Sequence, residues 1–161
     1  MAKANKVLQE AIDALVINDV YLHSSHAACL DDFDPKYFGD MDSLQVQQMH
    51  IVEQSQLLTL DGGQDLLRVF IRMGTRWIQP VTEGEHDEES EPQIKAIIEA
   101  DFVAEYQVKT ALSQDCIDAF SLQNASYHVW PYWREYLCSQ CERMRLPRVV
   151  LPTLQVPRSN K

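Results

Sequence analysis

The chain has 161 residues, 45% of them apolar, and a formal net charge of −10. That length suits one domain with a real core, and no apolar run approaches the roughly 18 residues of a membrane span. The acidic balance argues against nucleic acid, whose binding depends on neutralising phosphates.

The first residues, Met1-Ala2-Lys3-Ala4-Asn5-Lys6, lead into Gln9, Glu10 and Asp13, which interrupt any apolar centre. That is not a secretory signal, so the expected setting is cytoplasmic, and residues 1–15 are expected to be a flexible N-terminus. Ile17 to Leu30 reads as a strand with Val20 and Leu22 opposite to Tyr21. Asp31 to Asp42 contains Asp34-Pro35 and Gly39 and reads as a loop, exposing Phe33, Tyr37 and Phe38 among five aspartates. Leu44 to Leu60 stays ambiguous: its glutamines and Met49 suit a helix, while Val46, Ile51 and Val52 lean toward strand. Gly62-Gly63 supplies a turn.

Leu66 to Ile78 places Leu67, Val69, Ile71, Met73 and Trp77 on one parity and Arg68, Arg72 and Arg76 on the other. Ile97 to Leu112 alternates in the same way. Ile98, Ala100, Phe102, Ala104, Tyr106, Val108, Thr110 and Leu112 share one side, and Glu99, Asp101, Glu105, Gln107 and Lys109 the other. Such alternation means strands with one buried face and one wet face. Paired antiparallel, the two strands set the arginines against Glu99, Asp101 and Glu105, which fixes register more than it stabilises. The segment 81–92 between them, bounded by Pro80 and Pro92, is acidic from Glu83 to Glu91 and reads as a solvated loop.

Ser113 is an N-cap candidate, with Asp115 in the first turn of a helix toward Asn124. Pro131 suits the first turn of a second helix, along which Trp130, Trp133, Leu137, Cys141 and Met144 form an apolar stripe. Pro147 stops that helix, and 147–161 is expected to be an extended tail. Strands grouped before helices make an α+β fold: a sheet with two C-terminal helices packed on one face, in a single domain over 1–161.

The chemistry-bearing residues read as structural. Cys138 and Cys141 have C-x-x-C spacing, but they lie two turns inside a helix and no second close pair completes a zinc site. His23 and His26, three apart on a strand, point to opposite faces, and His50, His86 and His128 stand alone. Ser113, Ser121 and Ser126 lie near Asp115, Asp118 and His128, but no Gly-flanked elbow presents them. Glu99 and Asp101 read as a ladder, not as an acid–base pair. The expectation is no enzyme, no metal and no cofactor.

What remains is aromatic supply. Trp130, Tyr132, Trp133 and Tyr136 crowd one helix, and with consecutive positions about 100° apart they cannot all face one side. Some must line a second surface, an oligomer contact or a groove.

Here the chain resembles the SecB family of export chaperones. Phe102-Val103-Ala104-Glu105-Tyr106-Gln107 is similar to that family's last strand, and Pro131-Tyr132-Trp133-Arg134-Glu135 resembles its Pro-Tyr-Ala-Arg-Glu helix start. Leu146-Pro147 and Leu151-Pro152-Thr153-Leu154 resemble its Pro-rich tail. The resemblance covers about the last 60 residues. It implies a four-stranded antiparallel sheet with helices on one face, a homotetramer, and ATP-independent capture of unfolded polypeptides. It also implies client contacts at Phe33, Tyr37, Phe38, Leu44, Tyr132 and Trp133, with Phe102, Tyr106, Val108 and Trp130 serving core or assembly.

One departure bears on partners. Export SecB proteins end in an acidic tail that helps dock the SecA motor, whereas this chain ends Val156-Pro157-Arg158-Ser159-Asn160-Lys161. A SecB-like chaperone dedicated to the antitoxin of a toxin–antitoxin system is therefore the alternative. From another class, a structural adaptor could bury these aromatics against one fixed partner.

Overall fold

A computed structural model describes residues 2–81 and 91–154, with side chains from Lys6 onward. The alternation read from the sequence produces four long strands: β1 (Leu15–Cys29), β2 (Gln45–Thr59), β3 (Asp65–Gln79) and β4 (Gln93–Val108). They form one antiparallel sheet in the order β1-β4-β3-β2. Most of the acidic 81–92 segment and the tail from residue 155 lie outside the described residues.

Register confirms the charge ladder. Arg68 faces Glu105 at 2.8 Å, Arg72 faces Asp101 at 2.6 Å, and Arg76 reaches Glu99 at 3.2 Å. Bulges extend this row to both edges. Asn18, at the break between Ile17 and Asp19, donates to Glu105 at 2.6 Å, and Glu53, at the break between Val52 and Gln54, meets Arg72 at 3.3 Å. A second bulge in β1, between Leu22 and Ser24, corrects the histidine reading. One extra residue reverses the side-chain phase. His23 therefore packs edge-on against Phe70, and His26 pairs with Glu99, on the same face.

The opposite face is the core. Leu67, Val69, Ile71, Met73, Trp77, Ala96, Ile98, Ala100, Phe102, Ala104 and Tyr106 are buried there beneath α2 (Gln114–Gln123) and α3 (Ala125–Met144). Ser113 caps α2 as expected, its hydroxyl accepting from the Cys116 amide.

Three features differ from the sequence reading. Within the 1–15 segment a helix was not anticipated: α1 (Ala2–Ala14) runs directly into β1 and packs on α2, burying Ala11 and Ala14. The last strand stops at Val108, where residues 109–113 turn toward the cap. Pro131 sits inside α3, not in its first turn, because the helix begins six residues earlier at Ala125. Pro131 lies on the exposed side of the helix.

Candidate functional site

β1 and β2 are the two edges of the sheet, so residues 30–44 must cross three strand spacings, roughly 14 Å. The crossover is built, not slack. The Leu30 amide extends the β1–β4 pairing by donating to the Lys95 carbonyl, and Asp31 takes a left-handed conformation at φ 52°, which a short polar side chain tolerates. Asp34 then organises a turn, its carboxylate accepting from the Lys36 amide and its carbonyl from the Tyr37 and Phe38 amides.

This geometry sorts the loop aromatics. Phe33 is buried, Phe38 half-buried, and their rings meet at 5.1 Å and 69°. Leu44 is half-buried against the core. Tyr37 stands out at 76% exposure, with the Lys36 ammonium 5.1 Å from its ring. The five aspartates around it are all exposed.

Three contacts place α3. Ser126 hydrogen-bonds His50 of β2 at 2.7 Å, His128 hydrogen-bonds Tyr106 at 2.9 Å, and Tyr136 meets Phe102 edge-on at 6.5 Å. The helix therefore runs antiparallel to β4, and its C-terminal half lies toward the end of the sheet that the crossover spans. Ala125, Val129, Trp133, Leu137 and Cys141 form its buried row.

Here the expected site divides. Trp133 is 1% exposed and stacks on Tyr136, so it belongs to the core. Its position follows from the helix phase: starting at Ala125, every fourth residue faces the sheet. Tyr132, one step round the helix, is 47% exposed. Phe102 and Tyr106 are core residues, Val108 is half-buried against the core, and Trp130 is half-buried with its indole donating to the Pro152 carbonyl at 2.8 Å.

Sequence reading missed the apolar edges. Val46, Ile51 and Leu57 on β2, and Val16, Ile17 and Leu22 on β1, are all more than two-fifths exposed. A 15-residue edge strand offers free backbone groups as well as side chains. The available signal was that each edge carries apolar residues on both parities, which a single buried face does not require.

Burial sets the electrostatics around α3. Burial lowers the pKa of His50 and His128 and raises that of Tyr106. Burial likewise pushes the Cys141 thiol up to about 11, the opposite of a reactive thiolate. The Ser126–His50 pair has dyad spacing, but Ser126 is buried at the helix–sheet junction. Among the described residues no group of three or more His, Cys, Asp or Glu side chains could hold a metal, and no helix is long and apolar enough to cross a membrane.

No family model and no curated protein matches the sequence. Among solved structures the chain is similar to the Mycobacterium tuberculosis Rv1957 SecB-like chaperone in complex with a ChAD peptide from the Rv1956 HigA1 antitoxin. The TM-score is 0.70 at 18% identity, over 95% of this chain and 99% of that one. The fold is therefore SecB-like, as the four-stranded sheet and C-terminal helices anticipated.

Proposed function

We propose that this protein is a chaperone that holds extended apolar segments of non-native polypeptides, without ATP, cofactor or covalent chemistry. The observation that supports this most directly is Tyr37, an aromatic ring held 76% exposed on a hydrogen-bonded crossover. Aromatic burial against such a preorganised ring supplies affinity without demanding one sequence. Tyr37, Phe38, Leu44 and Tyr132 are the proposed contacts, with Phe33 and Trp133 supporting them from the core. The exposed rim of β2 around Val46 and Ile51 adds apolar area and free backbone groups.

A homotetramer in the cytoplasm, unfolded clients and hand-over to SecA complete the export form of this reading. A second form is favoured by one finding: the structurally similar Rv1957 chaperone is bound to an antitoxin peptide. In that form the client is the exposed segment of one antitoxin.

The test is light scattering of a reduced, unfolded test protein diluted into buffer with and without this chain. Suppressed aggregation without ATP, lost in the Tyr37→Ala, Tyr132→Ala double variant, is the expected result. Untouched aggregation refutes the general holdase and leaves the dedicated antitoxin partner to be sought by co-purification.

A further inference from the structure

We propose that residues 146–154 form a displaceable strap, seated in a second peptide-binding groove along one flank of α3 for which an extended apolar client segment competes. The inference rests on the chaperone function proposed above and adds a site distinct from the Tyr37–Tyr132 surface.

The chain reverses at Arg145, whose left-handed φ of 56° lets the Leu146 amide donate to the Cys141 carbonyl at 3.0 Å. From there the contacts run backwards along the helix. The Pro152 carbonyl accepts the Trp130 indole N–H at 2.8 Å, and Val149, between the two ends, is half-buried against the core. Seven residues of extended chain from Arg145 to Pro152, at about 3.3 Å each, match the distance from Arg145 back to Trp130, fifteen residues at about 1.5 Å. The segment thus lies extended and antiparallel to α3, with no regular secondary structure of its own.

Its side chains divide like those of a bound peptide. Leu146 and Leu151 are buried and Val149 is half-buried against the core, while Arg148 is exposed and Val150 is 81% exposed. Pro147 and Pro152 lack amide hydrogens, so the strap is held chiefly by side-chain burial, with the Leu146 amide and Pro152 carbonyl bonds near its two ends. Burial of that kind is non-directional. Any extended segment with apolar residues at similar spacing and a carbonyl for Trp130 makes the same contacts. Tyr132 lies about 200° around the helix from Trp130, so Tyr132 and the strap lie on different flanks of α3. A client long enough to displace the strap therefore gains a second hold.

Amide hydrogen exchange on the intact chain, with and without a reduced, carboxymethylated unfolded protein, tests the competition. Bound client should speed exchange at Val149 and Leu151, and full-length Leu151→Asp, with its strap released, should bind that client about tenfold more tightly if the strap is seated in about nine molecules of ten. Client that binds without changing this exchange overturns the proposal while leaving the chaperone reading intact. If no client binds, the chaperone reading falls, and a labelled synthetic peptide of residues 146–154 decides the groove. Binding to Leu151→Asp but not to the wild-type chain supports the groove; binding to neither refutes it.

Discussion

Two aromatic clusters look alike in the sequence and differ in the structure. The crossover cluster, Phe33, Tyr37 and Phe38, is fixed by backbone bonds to Asp34 while Phe33 is buried, Phe38 half-buried and the tyrosine raised into solvent. The α3 cluster is sorted by helical phase alone, which sends Trp133 into the core, Trp130 to the strap and Tyr132 to solvent. A loop selects what it displays through turn chemistry, whereas a helix selects through where it starts. In both regions one tyrosine stays exposed while a neighbouring ring packs into the core.

The widest gap that this division predicts lies between neighbours in the chain. Trp133→Ala should destabilise the fold by about 3–5 kcal/mol, the range for deleting a large buried aromatic. Tyr132→Ala should stay within about 0.5 kcal/mol, as surface changes do. Urea unfolding of both variants checks this. A Trp133 variant as stable as wild type would return that residue to the binding surface and erase the contrast.

The next effect sharpens the contrast within the loop. Tyr37→Ala should leave the melting temperature nearly unchanged and weaken client binding by about tenfold, the loss expected of an exposed aromatic that carries binding energy. Phe33→Ala should do the reverse, lowering stability first and binding only through the loosened loop. Fluorescence anisotropy with a labelled unfolded peptide, beside thermal melts, separates the two. Equal binding losses without any stability loss for Phe33 would mean the loop opens to expose both rings.

The sequence was most legible where one physical constraint dominated. β3 and β4 have one dry and one wet face, so period-two alternation showed both strands and set Arg68 and Arg72 against Glu105 and Asp101. β2 resisted because it is an edge: Gln45, Gln47, Gln48 and Gln54 are wet on both faces, so the alternation fades and a helix looks equally good. α1 was missed although Val7, Leu8, Ala11 and Ala14 recur at helical spacing. Its buried face is made of small residues, which carry a weak apolar signal. Pro131 misled because the first-turn rule is a preference, and here the helix had already begun at Ala125. The site was legible as an aromatic surplus; which rings are exposed depended on turn hydrogen bonds and helix phase, neither visible in composition.

The smallest predicted effect asks whether the two faces of the sheet respond differently to acid. On the helix side, burial holds His50 and His128 below their ordinary pKa, so the unfolded chain takes up protons first as pH falls below about 6.5. Stability from the α3 contacts is therefore complete above that value and declines below it. On the other face, the hydrogen bond from Arg72 holds Asp101 below the usual carboxylate range against some opposing desolvation, with Ser24 adding a second bond. That contribution is present above the ordinary carboxylate pKa and is lost at lower pH, as Asp101 protonates. Denaturation midpoints across pH should then show two separate losses. His50→Gln with His128→Gln should flatten the one near pH about 6, and Asp101→Asn the one at lower pH. If the histidine variants keep the upper slope, the tie between α3 and the sheet does not depend on neutral imidazoles. The acid response would then have to be sought among the carboxylates of the ladder.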